Sequence, residues 1–467
     1  MDSDINKRII GRRDFLKIAG VAGVTLMSGS LPFNKKRGVK PNIIIILADD
    51  IGYGDLGVYG CKDIPTPGID SIARNGILFK NAYVSSPLCS PTRAGLMTGR
   101  YQQRFGYEFN VGPPPGSLRQ QVGLPLEETT LAETLREKGY STGIIGKWHL
   151  GMLKKYNPLR HGFDSFFGFM HGDHKYFDER NNFNPILRNY SPLKENEYLT
   201  DAFTREALKF IDNTKEKPFF LYLPYSAGHT PLQAPEKYLK RFEYIKNKKR
   251  RIYAAMISAM DDGVKLILKK LNDNGILENT VIFFLNDNGG PIVSNASRNY
   301  PLRGGKNSLH EGGIRVPYLM QWKGKIPENI EYDGLVSSLD IFPTAVFAAE
   351  GIESINKKID GVNIIPFITN KKNGDPHSML FWRGGRHLQY FAVRKGKWKL
   401  LLFGNKRKEL FDISVDLGEQ NNIIEKYPDI ALELEDLIIK WNSQIRKPLW
   451  KIPKIRKRKR IGKELFN

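Results

Sequence analysis

The sequence predicts an α/β fold with a central, mainly parallel sheet, followed by a smaller C-terminal α+β domain with an antiparallel sheet. Several continuous apolar runs, such as NIIIIL at 42–47, are typical of strands buried on both faces of a parallel sheet. Helical patterns at 130–139 and 253–275 separate these runs, and strand–helix alternation indicates a parallel α/β arrangement. Past about Asp340, aromatic, apolar and basic residues alternate instead, as they do in antiparallel strands.

The predicted parallel strands end in polar residues. NIIIILADD ends on Asp49-Asp50, and the apolar run in TVIFFLNDNGG is followed by Asp287-Asn288. GYSTGIIGKWHLG contains Lys147 and His149, and the loop after a strand at about 218–223 contains His229. In open α/β sheets, ligands bind at the carboxyl ends of the strands. We therefore expect one edge of the sheet to gather Asp49, Asp50, Lys147, His149, His229, Asp287 and Asn288.

The type and position of four of these side chains indicate a metal site. Asp49, Asp50, Asp287 and Asn288 offer hard oxygen ligands, with no thiolate or clustered imidazole among them. Such a set suits Ca²⁺ or Mg²⁺ rather than zinc. A single pair of this kind is also common in turns and helix caps. Two pairs, each closing a buried apolar strand, favour the metal site over that interpretation.

The stretch SSPLCSPTRAGLMTGRY contains Cys89, one of two cysteines, so the chain can form at most one disulfide bond. Ser90 is predicted to cap a helix that ends at Gly99. Cys89 would then lie at the helix N-terminus beside Arg93, where a bare thiol would be activated as a thiolate. No nearby histidine completes a cysteine-protease site, and a divalent cation is foreign to that chemistry.

Within this stretch, PLCSPTRAGLMTG resembles the C-x-P-x-R signature of type I sulfatases, in which the cysteine is oxidised to formylglycine. GYSTGIIGKWHLG is similar to the family's second signature, and NDNGG and LRGGKNSLHEGGIRVP resemble its later metal and lysine motifs. The motifs follow in family order from Asn42 to about Pro317, and KWKLLLF with KELFDIS resembles the usual C-terminal segment. The resemblance implies an alkaline-phosphatase-like large domain and a sulfuric ester hydrolase that uses formylglycine and Ca²⁺, with Mg²⁺ as an alternative ion. Asn286 departs from the small hydroxyl residue that is common there, without touching a catalytic position.

The resemblance also implies catalytic roles. Hydrated formylglycine made from Cys89 would attack sulfur, and its second hydroxyl would then release sulfate by elimination, which a serine could not do. Arg93 would orient the diol, His149 would hold or deprotonate it, and His229 would protonate the leaving group.

Substrate-binding roles follow in the same way. Lys147 and Lys306 would clamp the sulfate oxygens. His171, Asp173 and His174, in GFMHGDHKYF, fall where the family lines its substrate pocket. Taken singly, such residues are often solvated lysines or loop histidines. Their occurrence within the full set of motifs favours the functional interpretation.

The charge of the chain favours anionic partners. It has 72 Lys and Arg against 49 Asp and Glu, a formal net charge of +23. Nucleic acid, an anionic membrane or an acidic polysaccharide would suit this balance, and a lysine-rich compositional bias of the host is the alternative explanation. Nucleic-acid binding through KIRKRKR fits poorly with an exported protein, so we expect no nucleic-acid partner.

The N-terminus indicates export. GRRDFLKIAGVAGVTLMSGS has Arg12-Arg13 before a short apolar run, which resembles a twin-arginine signal read by the export machinery. The run is far shorter than the ~20 residues of a membrane span, and a buried N-terminal helix is the alternative. We expect a soluble periplasmic or secreted enzyme with a signal and linker at 1–40, a catalytic domain at 41–340, a C-terminal subdomain at 341–445 and a basic tail at 446–467. Because this route exports folded proteins, a formylglycine-generating maturase would act on Cys89 before export.

The blocks TGRYQQRFGYEFN and HGFDSFFGF resemble bacterial polysaccharide sulfatases and N-acetylgalactosamine-6-sulfatase-like enzymes. We therefore expect removal of sulfate from a sulfated sugar or polysaccharide. Two alternatives stay open. One is a phosphonate or phosphate monoester hydrolase of the same superfamily, and the other is a non-catalytic protein that binds sulfated glycans.

Overall fold

The computed structural model describes residues 40–112, 122–177, 184–350, 358–385, 388–404 and 407–450. The predicted twin-arginine signal and all but the last residue of its linker lie outside these ranges, as does the basic tail from residue 451 onward. Within the described ranges, no helix combines the length and the apolar character needed to cross a bilayer.

The elements alternate as the sequence predicts. The strands of the described chain are β1 (Asn42–Ala48), β2 (Ile77–Phe79), β3 (Ala82–Tyr83), β4 (Ser141–Lys147), β5 (Ser165–Phe169), β6 (Ile186–Arg188), β7 (Ser191–Leu193), β8 (Phe219–Pro224), β9 (Thr280–Asn286), β10 (Tyr318–Gln321), β11 (Ile330–Tyr332), β12 (Val336–Ser337), β13 (Met379–Gly384), β14 (Tyr390–Lys395), β15 (Trp398–Phe403) and β16 (Arg407–Asp412). Its helices are α1 (Pro67–Arg74), α2 (Cys89–Thr98), α3 (Leu131–Glu137), α4 (Leu199–Thr214), α5 (Glu236–Leu239), α6 (Lys248–Asp273), α7 (Glu311–Ile314), α8 (Ile341–Glu350), α9 (Ile365–Ile368) and α10 (Pro428–Asn442).

A ten-stranded sheet has the order β11-β2-β10-β9-β1-β8-β4-β5-β6-β7. The five central strands, from β9 to β5, are all parallel to one another. In the centre, Ile43 of β1 pairs with Phe220 of β8 on one side and Val281 of β9 on the other. The predicted α/β fold is confirmed, and the carboxyl ends of β1, β4, β8 and β9 meet at one edge.

Strand β1 is apolar from Ile43 to Ala48 because helices cover both faces of the sheet. Ile43, Ile45 and Leu47 pack into an apolar cluster with residues of α2, α3 and α8, whereas Ile44 and Ile46 pack on the opposite face with residues of α1, α4 and α6. All five side chains are completely buried. Burial of each contributes about 1.5–3 kcal/mol to folding, so the sheet edge that carries the polar residues is rigidly supported.

Capping side chains set the ends of two predicted helices. Thr130 accepts a hydrogen bond from the Glu133 backbone at 3.1 Å, and the Glu133 carboxylate accepts one from Thr130 N at 2.7 Å. This capping box starts α3 where the sequence predicts it. Helix α6 begins five residues earlier than predicted, because the Asn247 side chain accepts a hydrogen bond from Arg250 N at 3.0 Å and caps that end.

The C-terminal region forms the predicted antiparallel sheet, in the order β13-β14-β15-β16. Helix α10 packs against one face through Leu434 and Ile438. The other face lies against the rest of the chain, where Trp382 donates an indole hydrogen bond to Val84 O at 2.7 Å. The described residues from Lys40 to Trp450 form one compact unit, and the expected boundaries at 340 and 445 stay predictions.

Candidate active site

An acidic cluster lies at the carboxyl edge of the central strands. It consists of Asp49, Asp50, Cys89 and Asp287, whose ligand atoms all lie within 4.8 Å of one another and which are all buried. The two neighbouring aspartates follow β1, Asp287 follows the adjacent strand β9, and Cys89 begins α2. The parallel pairing of β1 with β9 therefore brings together side chains that are far apart in sequence.

Three fixed cations pair with the three carboxylates of this cluster. They are Arg93, Lys147 and Lys306. Two nitrogens of Arg93 donate to Oδ2 of Asp287, at 3.1 and 2.7 Å. Lys147 donates to Oδ2 of Asp49. Lys306 donates to both carboxylate oxygens of Asp50, at 2.7 and 2.9 Å. Since none of these cations is more than 12% exposed, water screens the pairs weakly.

The crowded charges shift the pKa values of the acidic cluster in opposite directions. Burial alone would raise the pKa of Asp49, but Lys147, followed by His229 and Arg93, lowers it well below its usual range. The pKa of Asp287 is raised by burial and by the negative charge of Asp49, which outweigh the effect of Arg93. A divalent cation among these carboxylates would favour their ionised forms together.

Two unused oxygens show that the cluster fits a hard cation. Oδ1 of Asp49 and Oδ1 of Asn288 are buried and find no hydrogen-bond partner among the residues that the structure describes. The Asn288 amide nitrogen donates to Asp50 Oδ1 at 2.7 Å and to Gly289 O at 3.0 Å, so its oxygen is the atom left for a ligand. Buried polar atoms of this kind normally have partners. The donor set contains carboxylates and an amide, as Ca²⁺ and Mg²⁺ prefer.

Helix α2 begins two residues earlier than the sequence predicts. Leu88 is the N-cap, and Cys89 is the first helical residue. Ser90 does not cap the helix, because its hydroxyl donates to His149 O at 2.6 Å and thereby joins α2 to the segment after β4. Gly99 ends the helix as predicted, with a φ of +64° that suits glycine.

The Cys89 thiol is free, but it is not activated as the sequence led us to expect. The side chain is buried, and burial followed by the charge of Asp287 raises its pKa to about 12. Lys306 and Lys147 counteract this effect, but burial and the charge of Asp287 outweigh them. As a thiol, this residue is poorly suited to nucleophilic attack at neutral pH. Cys61 is also free, half-buried, and contacts Asp63.

Two histidines flank the cluster. Nδ1 of His229 lies 2.6 Å from Thr230 O, and Nε2 lies 3.6 Å from Asp50 Oδ2. Burial lowers the pKa of His229, although Asp49 and Asp50 counteract it. His149 has a φ of +58°, and its Nε2 lies 3.3 Å from Val111 O. Burial, followed by the charge of Lys147, lowers the pKa of His149 well below its usual range, so the ring is neutral.

The three pocket residues predicted from GFMHGDHKYF differ in their contacts. His171 lies next to His149, with ring centres 6.2 Å apart, and pairs through Nδ1 with Asp173 at 2.6 Å. This hydrogen bond with His171 lowers the pKa of Asp173. His174 packs its ring on Phe169, with centres 5.2 Å apart. Nδ1 of His174 lies 2.6 Å from Lys175 O.

The loop that carries Lys306 is tied to the end of β9. Gly289 N donates to Gly313 O at 3.1 Å, and Lys306 N donates to Gly290 O at 3.3 Å. A Cβ at Gly289 would lie 1.7 Å from Gly312 O, so only glycine permits this approach. Asn307 N donates to Pro87 O at 3.0 Å, which joins the same loop to the segment before Cys89.

Two asparagines support the site without having been predicted. Asn286 exchanges two hydrogen bonds with the backbone of Ile51, at 3.2 and 2.5 Å, and so locks the end of β9 to the end of β1. Asn295 donates to Asp50 O at 2.8 Å and to Gly228 O at 3.0 Å. For Asn295, the signal in the sequence is the polar run SNASRN after NDNGG, which is typical of an ordinary loop, whereas Asn286 was noted only as a departure from the family motif.

Comparison with known proteins places this geometry in context. The sulfatase family profile matches residues 41–352, and the profile of the N-sulphoglucosamine sulphohydrolase C-terminal region matches residues 305–444. N-acetylgalactosamine-6-sulfatase of Homo sapiens is 34% identical over 387 residues, which cover 77% of this chain and 73% of that protein. Arylsulfatase J of Mus musculus is 32% identical over 473 residues, covering 86% and 76%. The crystal structure of Ps i-CgsB in complex with k-i-k-neocarrahexaose superposes with a TM-score of 0.83 at 38% identity, over 89% of this chain and 95% of that one.

Proposed function

The chain belongs to the sulfatase family and is a sulfuric ester hydrolase, and from this premise we propose that it removes sulfate from a sulfated sugar through a formylglycine made from Cys89. The observation that carries the proposal is the position of Cys89. Its side chain lies inside the acidic cluster, which three fixed cations surround. A thiol whose pKa is about 12 is a poor nucleophile there, whereas a precursor of an oxygen nucleophile is well placed.

The acidic cluster supports a bound Ca²⁺, with Mg²⁺ as the alternative. Asp49, Asp50, Asp287 and the amide oxygen of Asn288 would hold the ion. When bound, the ion supplies a positive charge that polarises sulfate oxygens and lowers the pKa of a neighbouring hydroxyl. A hydrated formylglycine supplies an oxygen nucleophile, together with a second hydroxyl through which sulfate can be released.

The charge balance of the site favours an anionic substrate. Three carboxylates face three fixed cations, so a divalent ion would leave a surplus of positive charge at the sheet edge. Lys147 and Lys306 are the cations that would accommodate sulfate oxygens, because each carries donors besides those shared with an aspartate. Arg93 has two nitrogens on Asp287 and donates with the third to Lys147 O at 3.1 Å, so it orients the site around position 89.

His229 and His149 are the residues that would transfer protons. Nδ1 of His229 faces Thr230 O at 2.6 Å and therefore carries a hydrogen in any tautomer that uses this contact. Nε2 is then the nitrogen that can hold and donate the proton for the departing alkoxide. His149 is buried and neutral, with its Nδ1 unpartnered among the described residues, so it can accept a hydrogen bond or a proton from the diol.

The relatives suggest which sugars to test. One is named for N-acetylgalactosamine 6-sulfate, and another was crystallised with k-i-k-neocarrahexaose. His171 and Asp173, beside His149, would contribute to the pocket for the sugar, with His174 behind them. We propose that the enzyme acts after export by the twin-arginine route, and that the maturase converts Cys89 in the cytosol before the folded protein leaves.

Mass spectrometry of the tryptic peptide NAYVSSPLCSPTR tests the nucleophile. Protein from the native host should carry an aldehyde at position 89, and the matured protein should release sulfate from 4-nitrophenyl sulfate. Cys89→Ala is the matched control and should release none. An alkylatable thiol in fully active protein would overturn the formylglycine assignment. Faster turnover of phenylphosphonate monoesters than of aryl sulfates would favour the phosphonate hydrolase, and retention on a sulfated-polysaccharide column without sulfate release would favour the binding protein.

A further inference from the structure

We propose that Asn295 is a positioning residue that fixes the proton-donating His229 relative to Asp50. Its side chain is completely buried. The amide nitrogen donates to two backbone carbonyls, Asp50 O at 2.8 Å and Gly228 O at 3.0 Å. The amide oxygen accepts a hydrogen bond from Ser297 N at 3.0 Å, which fixes the orientation of the amide. No other described side chain donates to both carbonyls.

The two carbonyls belong to the segments whose side chains face each other in the site. Gly228 immediately precedes His229, and Nε2 of His229 lies 3.6 Å from Oδ2 of Asp50. Asn295 therefore sets, through the backbone, the separation of an acidic metal ligand and an imidazole. The inference rests on the proposed role of His229 in protonating the leaving group.

The loop of His229 has a second support on its other side. Tyr176 donates to His229 O at 2.9 Å and also contacts Ser226 O. His229 N donates to Ser226 O at 2.9 Å, which closes a tight turn. With the tyrosine still in place, loss of the Asn295 amide should leave the loop folded but free to shift by a fraction of an ångström. Displacements of this size reduce proton transfer strongly, because a general acid must lie within hydrogen-bond reach of its target.

The dependence of kcat/KM on the pKa of the leaving group distinguishes a positioning role from a merely structural one, which would not change it. A substrate whose leaving group is already acidic, such as 4-nitrophenyl sulfate, needs little protonation, whereas phenyl sulfate and sugar sulfates need more. A displaced His229 should therefore reduce kcat/KM increasingly as the pKa of the leaving group rises. A displaced metal ligand or a general loss of folded protein should reduce kcat/KM by the same factor for every substrate.

Asn299 provides a matched control four residues along the same loop. It is also buried, donates to Gly290 O at 2.8 Å and Gly304 O at 2.9 Å, and accepts a hydrogen bond from Gly290 N at 3.0 Å. It thus makes the same number of hydrogen bonds as Asn295, but it supports the loop of Lys306 instead of the loop of His229. Its removal should weaken sulfate binding without changing the dependence on the leaving group.

The experiment compares Asn295→Ala, Asn299→Ala and His229→Ala, each matured with a formylglycine-generating enzyme, on a series from 4-nitrophenyl sulfate to phenyl sulfate. For Asn295→Ala we expect a loss of a few-fold on the activated ester that grows to about 10²-fold on the least activated one, within the range of general-acid effects. His229→Ala should show the same trend more steeply, and Asn299→Ala should keep the slope of the wild type.

A wild-type slope for Asn295→Ala, together with a steep slope for His229→Ala, would overturn the inference while leaving the proposed function intact. A wild-type slope for His229→Ala would instead remove the acid assignment itself, and the positioning role with it. If Asn295→Ala does not accumulate as folded protein, Asn295→Ser decides the question by the same comparison, because serine can keep only one of the two donated hydrogen bonds. A dependence on the leaving group steeper than that of the wild type in Asn295→Ser would support the inference, and a wild-type slope would overturn it.

Discussion

Arg93 places two of its nitrogens on a single oxygen of Asp287, at 3.1 and 2.7 Å, and both side chains are completely buried. The remaining nitrogen donates to Lys147 O at 3.1 Å. One guanidinium thus joins helix α2 to the ends of β9 and β4, which carry parts of the site. A rigid planar fork can make these contacts at once, and a lysine ammonium on a flexible stem cannot.

Arg93→Lys should therefore keep the positive charge but lose the simultaneous hydrogen bonds to Asp287 and Lys147 O. We expect a folded protein whose kcat/KM on 4-nitrophenyl sulfate falls by about 10²-fold or more, comparable with the loss of one charge-stabilising donor. Arg241→Lys is the control, since Arg241 pairs with Asp262 at 2.8 Å at the surface and the substitution should cost no more than about 1 kcal/mol. Activity within a few-fold of the wild type in Arg93→Lys would show that charge alone suffices at this position.

Removal of the proposed Ca²⁺ ion should lower both activity and stability. The carboxylates of Asp49, Asp50 and Asp287 lie within one small volume, so the apo protein loses the ion that offsets their repulsion. Dialysis against EDTA should abolish sulfate release and lower Tm, and Ca²⁺ should restore both. At a concentration 100-fold above Kd, the ion contributes about 2.7 kcal/mol to the free energy of unfolding.

Asn288→Ala should weaken this dependence on Ca²⁺, because it removes the unpartnered amide oxygen. Asp63→Asn is the control, because Asp63 pairs with Arg250 and Arg298 outside the acidic cluster. Its calcium requirement should match that of the wild type. A wild-type protein whose Tm and activity are unchanged after exhaustive chelation would contradict the metal assignment.

The acidic half of the site could be predicted because it follows from sheet topology. A parallel strand exposes its carboxyl end at one edge, so Asp49 and Asp287 at the ends of two apolar runs are expected to meet. The position of Lys306 could be predicted only from family resemblance, since it reaches Asp50 from a loop after β9. No periodicity in the sequence reports where such a loop folds back.

Two local predictions, for Ser90 and Cys89, were wrong because these side chains interact with residues that are distant in the sequence. Ser90 was expected to cap α2, a local role that propensity favours, but its hydroxyl instead bonds to His149 O, a residue 59 positions away. The Cys89 thiol was expected to be activated at the helix N-terminus beside Arg93, but burial and the charge of Asp287 raise its pKa to about 12. Long-range partners of this kind are visible only once the tertiary structure is known.

The interface between the C-terminal sheet and the Lys306 loop contains a buried lysine. Lys399 of β15 lies 2.8 Å from Glu311 and 2.8 Å from Glu419, and all three side chains are completely buried. Lys399→Met would leave the buried Glu419 carboxylate without this cation, whereas Glu311 would keep Arg315 at 3.3 Å. We expect a loss of about 3–5 kcal/mol in the free energy of unfolding, measured by urea denaturation.

Lys395→Met is the matched control on the neighbouring strand. Lys395 also pairs with a glutamate, Glu433, but both side chains are about half exposed. Water screens that pair, so the substitution should cost no more than about 1 kcal/mol. Equal effects of the two substitutions would show that the buried pairs do not stabilise the interface more than an exposed one.

His377 should make the stability of the fold depend on pH. Its Nε2 lies 2.6 Å from Asp340 Oδ1, and both side chains are largely buried. Burial alone would lower the pKa of His377, but the charge of Asp340 and their hydrogen bond raise it above the ordinary value of 6.5. Asp360, which pairs with Arg104 at 2.5 Å, adds to this effect.

Because the folded state binds this proton more tightly than the unfolded state, the contribution to stability is fully present below pH 6.5 and is lost as the pH rises through the raised pKa. Tm of the wild type should therefore fall more steeply from pH 6.5 to about 8.5 than Tm of His377→Gln, which keeps a donor but cannot gain the charge. The difference between the two curves cancels other titrating groups, such as His310 and Glu419, which both proteins retain. Parallel curves across this range would mean that the charge on His377 contributes nothing to stability.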